Sequence, residues 1–175
     1  MEELVDLVDA EGVARVFGVP RSEVKLRKEE FLAQGLYQPI VIVVVADDED
    51  RIIAQVRGKA KGDDGSDEVD LVCGVISAGE DWETAARREA REEIGVELSQ
   101  LIFVEQRVNG YKRHRTLAAA RSVGEPFVVD ENEVAKVFSA SLDELRGLAN
   151  TDTSFVGGFF RDVELALTKI QERYA

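Results

Sequence analysis

The sequence predicts an α/β fold, a mixed sheet with helices packed on both of its faces. Three observations predict it. Strand-like and helix-like segments alternate along the chain instead of separating into blocks. Residues Ile40 to Ala46 form a β-branched, almost wholly apolar run, as a central strand buried on both faces requires. The 175 residues are 45% hydrophobic, enough for one domain spanning 1–175 with a substantial core.

Residues 1–35 predict a hairpin and a helix ahead of the core. The hairpin runs from Leu4 to Val8, turns at Asp9-Ala10-Glu11-Gly12, and returns over Val13 to Val19. Pro20 suits a helical first turn, and Ser22 to Ala33 continues as helix. Asp47–Asp50 turns the central strand into a second one, Arg51 to Arg57. Lys59 to Glu68 (KAKGDDGSDE) is a polar loop within the domain. Val69 to Val75 is the next strand. Trp82 to Ile94, rich in Ala, Glu and Arg and free of Gly and Pro, is a helix that Gly95 stops. Leu101 to Val108 and Arg113 to Arg121 flank Asn109-Gly110, a strong hairpin signal. Glu133 to Ser139 is a further strand, and Ser141-Leu-Asp-Glu144 is a capping box opening a short helix. A last amphipathic helix, about Phe159 to Tyr174, places Phe159, Phe160, Val163, Leu167 and Ile170 at helical spacing.

Composition excludes several function classes. The chain carries 22 Lys and Arg against 35 Asp and Glu, a net charge of −13. A nucleic-acid polymer needs a basic footprint instead. The apolar run Pro39 to Ala46 is far short of the roughly 20 residues that span a membrane. The acidic start MEELVDLVDAEG lacks the basic head of a signal peptide. With Cys73 as sole cysteine and His114 as sole histidine, neither an intrachain disulfide nor a cysteine or histidine metal cage can form. These features predict a cytoplasmic protein acting on small molecules, and a homodimer through the N-terminal hairpin is compatible with them.

Residues 74–96 carry the chemistry: GVISAGEDWETAARREAREEIGV. Glu89, Glu92 and Glu93 stand at i, i+3 and i+4 of the predicted helix, so all three carboxylates share one face. Such close like charges repel. A hard divalent cation removes the conflict, and Mg²⁺ takes oxygen ligands while keeping waters for substrate phosphates. Glu80 is placed to pair with Arg88 or to complement the helix dipole. Gly74 and Gly79 permit a sharp loop whose backbone approaches a metal. The competing reading is a solvated acidic face with Arg87, Arg88 and Arg91 as local partners.

The segment also resembles the Nudix box, G-x5-E-x7-R-E-U-x-E-E-x-G-U, at every defined position, with Ala90 as a small member of the apolar class U. Seven fixed letters at roughly 6% usage coincide by chance on the order of once in 10⁸ windows. The resemblance implies a Nudix fold, an α/β/α sandwich in which the box forms a loop–helix–loop. It implies hydrolysis of a nucleoside diphosphate linked to another moiety X, by an activated water attacking one phosphorus. Mg²⁺ is the implied cofactor, with Mn²⁺ as an alternative. Carried over residue by residue, Glu89, Glu93 and Glu92 become metal ligands, and the Gly74 region contributes a backbone oxygen. Arg88, Glu80 and Glu92 support the catalytic step. Many Nudix enzymes recruit a distal carboxylate as base or ligand; Asp130, Glu131 and Glu133 are the candidates and Glu133 is the choice. A charged hairpin tip is the alternative for these three.

The opening ELVDLVDAEGVARVFGVPRSEVKLR is similar to Nudix proteins related to isopentenyl-diphosphate isomerase, and Arg57-Gly-Lys59-Ala-Lys61 falls where that group has a basic pair. True isomerases of that group hold a catalytic cysteine just before the box glycine, where Cys73 sits here, and also a histidine metal site. This chain has Val75 in place of the histidine that follows the glycine, and its box is intact. An isomerase using Cys73 is therefore one rival reading, and a catalytically silent nucleotide-sugar-binding regulator is another. Lys61, Arg113 and Arg115 are candidates for substrate phosphate, with Arg107 opposite the last two; an exposed hairpin with charged edges is the bland alternative. His114 is a weaker candidate acid or base. Trp82 and Tyr111 could stack on a base, although Trp82 falls in a row with Ala86 and Ala90 that predicts packing.

Overall fold

The computed structural model describes residues 2–58 and 67–174. Strands β1 (Leu4–Val8) and β2 (Ala14–Pro20) pair as an antiparallel hairpin. The Asp9 carboxylate organises its turn by accepting from the Glu11 and Val13 N–H groups. The single helix expected over Ser22–Ala33 is instead two short ones, α1 (Arg21–Leu26) and α2 (Lys28–Ala33), broken at Arg27 with φ −105° and ψ 24°. Helices this short draw little from propensity. Packing of Val24 and Phe31 into a shared cluster with Val5, Leu7 and Leu36 sets their course.

The main sheet has eight strands, in the order β10 (Val134–Ala140), β4 (Ile52–Arg57), β3 (Gln38–Ala46), β9 (Arg113–Val123) and β7 (Glu97–Leu98). Beside that path, β5 (Val69–Asp70) pairs with β4, β6 (Val72–Val75) with β3, and β8 (Ile102–Val108) with β9. The β3–β9 pair is parallel and the others are antiparallel, so the sheet is mixed. One edge of β3 is divided between two partners. Residues Ile40–Val43 pair with β6, and Val45–Ala46 pair with β4. The continuous strand expected over Val69–Val75 therefore breaks at Leu71, because its two halves belong to different partners.

Helix α3 (Trp82–Ile94) covers one face, and α4 (Leu142–Ala149) and α5 (Phe159–Tyr174) cover the other. Val41, Val43 and Val45 of β3 join Ala85, Ala86, Ala90 and Ile94 on the α3 side. Val44 and Ala46 join Leu145, Phe159, Val163 and Ile170 on the α5 side. Each such large apolar side chain contributes about 1.5–3 kcal/mol by burial. The alanines of α3 let it lie close on the sheet, which matters for the site below.

The expected hairpin at Asn109-Gly110 forms, but the left-handed residue is Lys112 at φ +58°, not Gly110. The Asn109 side-chain oxygen accepts from the Tyr111 and Arg113 N–H groups, which fixes a four-residue loop rather than a two-residue turn. Ser141 and Glu144 cap α4 reciprocally, as the capping box predicts. Among the described residues, no helix is long and apolar enough to cross a membrane.

Candidate active site

The loop between β6 and α3 is built to deliver α3 at a fixed angle. Asp81 caps the helix by accepting from the Thr84 N–H at 2.7 Å, and Gly95 ends it in the left-handed conformation at φ +70°. The N-terminal hairpin braces the loop from outside. Asp6 accepts from the N–H of Gly79 and also from that of Gly18, while the Leu4 carbonyl accepts from Ala78 N–H.

The three box carboxylates do not share one environment. Glu89 and Glu93 are 8% and 1% exposed, whereas Glu92 turns outward. The inner pair follows from the approach of α3 to the sheet: the alanine face buries, and its flanking acids are carried in with it. Glu93 accepts from Gln55 Nε2 at 2.8 Å and from Cys73 N–H at 3.0 Å. Gln55, 2% exposed on β4, also donates to the Leu71 carbonyl, while its Oε1 is buried without a donor. Sequence reasoning missed Gln55. A polar residue within the strand run IIAQVR was the available signal, since a buried polar side chain needs a partner.

Arg88 ties the outer acids together. It holds both oxygens of Glu80 through Nε and Nη2 at 3.0 and 2.9 Å, and Nη2 also donates to the Val75 carbonyl. Its other nitrogen reaches Glu89 at 2.6 Å and Glu92 at 3.2 Å. Arg87 and Arg91 serve elsewhere, on the carbonyls of Leu98 and Ser99 and on Glu97. Burial pushes the Glu89 carboxyl up to about 7; the Arg88 charge opposes that rise, and Glu93 and Glu92 add repulsion. Gly74, on β6, faces Glu89 directly. A Cβ at Gly74 would lie 1.8 Å from both Cδ and Oε1 of Glu89, so only glycine leaves room for the carboxylate.

Glu89, Glu92, Gly74 and Arg88 line a cavity of about 520 Å³, together with Arg21, Lys25, Arg57, Cys73, Arg113 and Glu133. Glu93, beside this cavity, is held by Gln55 and the Cys73 N–H. Of the three distal carboxylates, Glu133 lines the cavity, immediately before β10. Its backbone carbonyl accepts from Gly58 N–H, and the close approach of Asn132 leaves no space for a side chain at Gly58. Asp130 instead accepts from the Asn132 N–H and amide, organising the turn, and Glu131 is exposed. Among the described residues, no three Asp, Glu, His or Cys side chains converge on a common point.

The candidate phosphate contacts separate. Arg113 is exposed and lines the cavity. Arg115 is 3% exposed and donates to both oxygens of Asp162 on α5, at 2.8 and 2.9 Å. Arg107 does lie opposite Arg115 across the hairpin, but its Nε donates to Glu105. Lys61 lies outside the described residues. His114 is buried against the turn of the N-terminal hairpin, where a Cβ on Gly12 would strike its ring. Burial lowers its pKa. Trp82 packs edge-on against Phe103, with ring centroids 6.1 Å apart, and Tyr111 closes over Gly157. Burial, with Asp70 and Glu93 adding repulsion, pushes the Cys73 thiol well above its usual range.

Residues 36–163 match the model of the NUDIX domain family. DR0079 from Deinococcus radiodurans superposes with a TM-score of 0.72 at 20% identity, over 94% of this chain and 99% of that one. A MutT NUDIX hydrolase from Burkholderia pseudomallei gives a TM-score of 0.56 at 19% identity, over 73% and 96% of the two chains. A NUDIX hydrolase from Nitrosomonas europaea gives 0.60 at 16%, over 74% and 87%. A search of curated proteins finds no match.

Proposed function

The chain belongs to the NUDIX family, and from that premise we propose that it is a divalent-metal-dependent hydrolase of a diphosphate linkage in a nucleoside diphosphate–X substrate. One observation carries this reading: Glu89 is held, largely buried, against a glycine that makes room for it, in a cavity that also contains Glu133 and five basic side chains.

The donor set suits Mg²⁺, with Mn²⁺ as an alternative. Glu89 and Glu93 are hard oxygen donors whose mutual repulsion a dication relieves, and the Gly74 backbone and Glu92 stand beside them. Mg²⁺ commonly retains waters and takes substrate oxygens, so it needs few protein ligands. When bound, such an ion polarises a phosphoryl oxygen and lowers the pKa of a water. The remaining work belongs to the chain. Gln55 and the Cys73 N–H hold Glu93 in one orientation. Arg88 anchors Glu80 and Glu89 and ties α3 to the Val75 carbonyl. Glu133, across the cavity, is positioned to accept the proton of the attacking water. Arg57, Arg113 and Lys25 attract the diphosphate to an otherwise acidic protein.

The isomerase reading is weaker. Cys73 lines the cavity, but its raised pKa keeps the thiol protonated, and the lone histidine is packed under the N-terminal hairpin. A silent regulator would have no need of two buried carboxylates at the cavity. The deciding experiment is phosphate release over a panel of diphosphates, including ADP-ribose and nucleotide-sugars, with Mg²⁺ or Mn²⁺. Release should require the ion and fall at least a hundredfold in Glu93→Gln. Parental rates in Glu93→Gln would remove the metal assignment, and isomerisation abolished by Cys73→Ala would favour the isomerase.

A further inference from the structure

Beside the catalytic cavity lies a smaller one of about 70 Å³, and the hydrolase reading uses only the part of its lining that the two share. Four cations rim the smaller one: Lys25 from α1, Lys28 from α2, and Lys112 and Arg113 from the β8–β9 hairpin. Its floor is apolar, formed in part by Leu36. The two cavities share Lys25 and Arg113.

Among the described residues, these cations form no ion pair. Acidic residues outnumber basic ones, 35 to 22. Every other described arginine uses its guanidinium in a hydrogen bond or ion pair, but Arg113 does not. Of the acids beside Lys25 and Lys28 in sequence, Glu23 and Glu30 both pair with Arg27, which leaves Glu29 as the exposed acid next to Lys28. Gathering four like charges from three segments costs energy unless an anion joins them. A second feature points the same way. Gln38, directly opposite Arg113 in the parallel β3–β9 register, lines this cavity, and its Nε2 is buried with no acceptor.

We propose that this cluster binds a phosphate monoester carried on the substrate, remote from the diphosphate that is cleaved. The substrate class is then a nucleoside diphosphate–X bearing a third phosphoryl group. The shared Lys25 and Arg113 bring that group within one molecule's span of Glu89. An Arg fork, ammonium groups and a buried amide donor together match the several acceptor oxygens of a phosphate dianion. The inference rests on the hydrolase reading for the placement of the diphosphate.

Equilibrium binding separates the two ideas. Dissociation constants would be measured without divalent ion for two pairs differing by one phosphate, coenzyme A against dephospho-coenzyme A and NADPH against NADH. Inorganic phosphate would be the competitor. The phosphorylated member of at least one pair should bind about tenfold tighter to the parent protein. That preference should vanish in Lys28→Met/Arg113→Gln, persist in part in Arg113→Lys, and survive in Glu93→Gln. Circular dichroism would verify that each variant is folded. Equal affinities within both pairs, or a preference untouched by the double substitution, would overturn the proposal. Phosphate binding lost in the double variant without any preference between pair members would also overturn it, since the site would then serve a free anion. Because no turnover is involved, failure of the hydrolase reading would show up separately, in the release assay.

Discussion

Gly74 and Glu89 are shaped to each other: the space a β-carbon would fill on the strand is occupied by the carboxylate of the helix, at 1.8 Å. Gly74→Ala must therefore displace Glu89 or lift α3 from the sheet. Overpacking of this kind typically costs about 1–3 kcal/mol. The variant should unfold at a lower denaturant concentration and lose at least tenfold in kcat. A variant with parental activity would mean that Glu89 need not sit where it does.

Gln55 acts through Glu93 and is a positioning residue. Gln55→Leu removes the side-chain amide donor to a buried carboxylate. Partners of metal-binding groups are usually worth 10–100-fold in metal affinity or activity. Titrating activity with Mg²⁺ should show the half-saturating concentration raised by roughly tenfold, with partial restoration in Gln55→Asn. A shift in kcat alone, at unchanged Mg²⁺ dependence, would count against this role.

Arg115 and Asp162 lock β9 to α5 as a two-pronged ion pair, each side chain only 4% exposed. Asp162→Ala leaves the buried Arg115 with the longer 3.3 Å contact to Glu105 in place of its two-pronged partner and should destabilise by about 3 kcal/mol. The double replacement Arg115→Met/Asp162→Leu should recover much of that loss. At a temperature where the variants remain folded, KM should be unchanged. A raised KM in the double variant would instead place Arg115 in contact with substrate.

Glu105 receives Arg161 at 2.7 Å and Arg107 at 3.0 Å. The hydrogen bond from Arg161 is the main cause that pulls its carboxyl from 4.5 down to about 2. With a depressed folded value, the ionised form stabilises the protein at neutral pH. That contribution is complete above about pH 4.5 and is lost as pH falls toward 2. Allowing for solvent screening, it is worth about 1 kcal/mol. The stability gap between parent and Glu105→Gln should therefore close on acidification; a gap constant from pH 7 to pH 3 would contradict this account.

Local sequence determined the α3 helix, its Gly95 stop, the capping box of α4 and the span of α5, because each depends on neighbours within a turn or two. It also marked the box carboxylates and Gly74, because a helix fixes which side chains share a face. What it left undecided depended on partners distant in the chain. Leu71 breaks a strand because β3 and β4 claim its two sides. Three equally charged box glutamates divide into two buried and one exposed because α3 lies flat on an alanine face. Gln55, from another strand, supplies the donor that Glu93 needs. Arg113 and Arg115, two residues apart on one strand, part company because Asp162 waits beneath Arg115, whereas Arg113 is exposed at the cavity. Sequence spacing sets the direction of a side chain; its charge is used according to what the tertiary fold brings within about 3 Å of it.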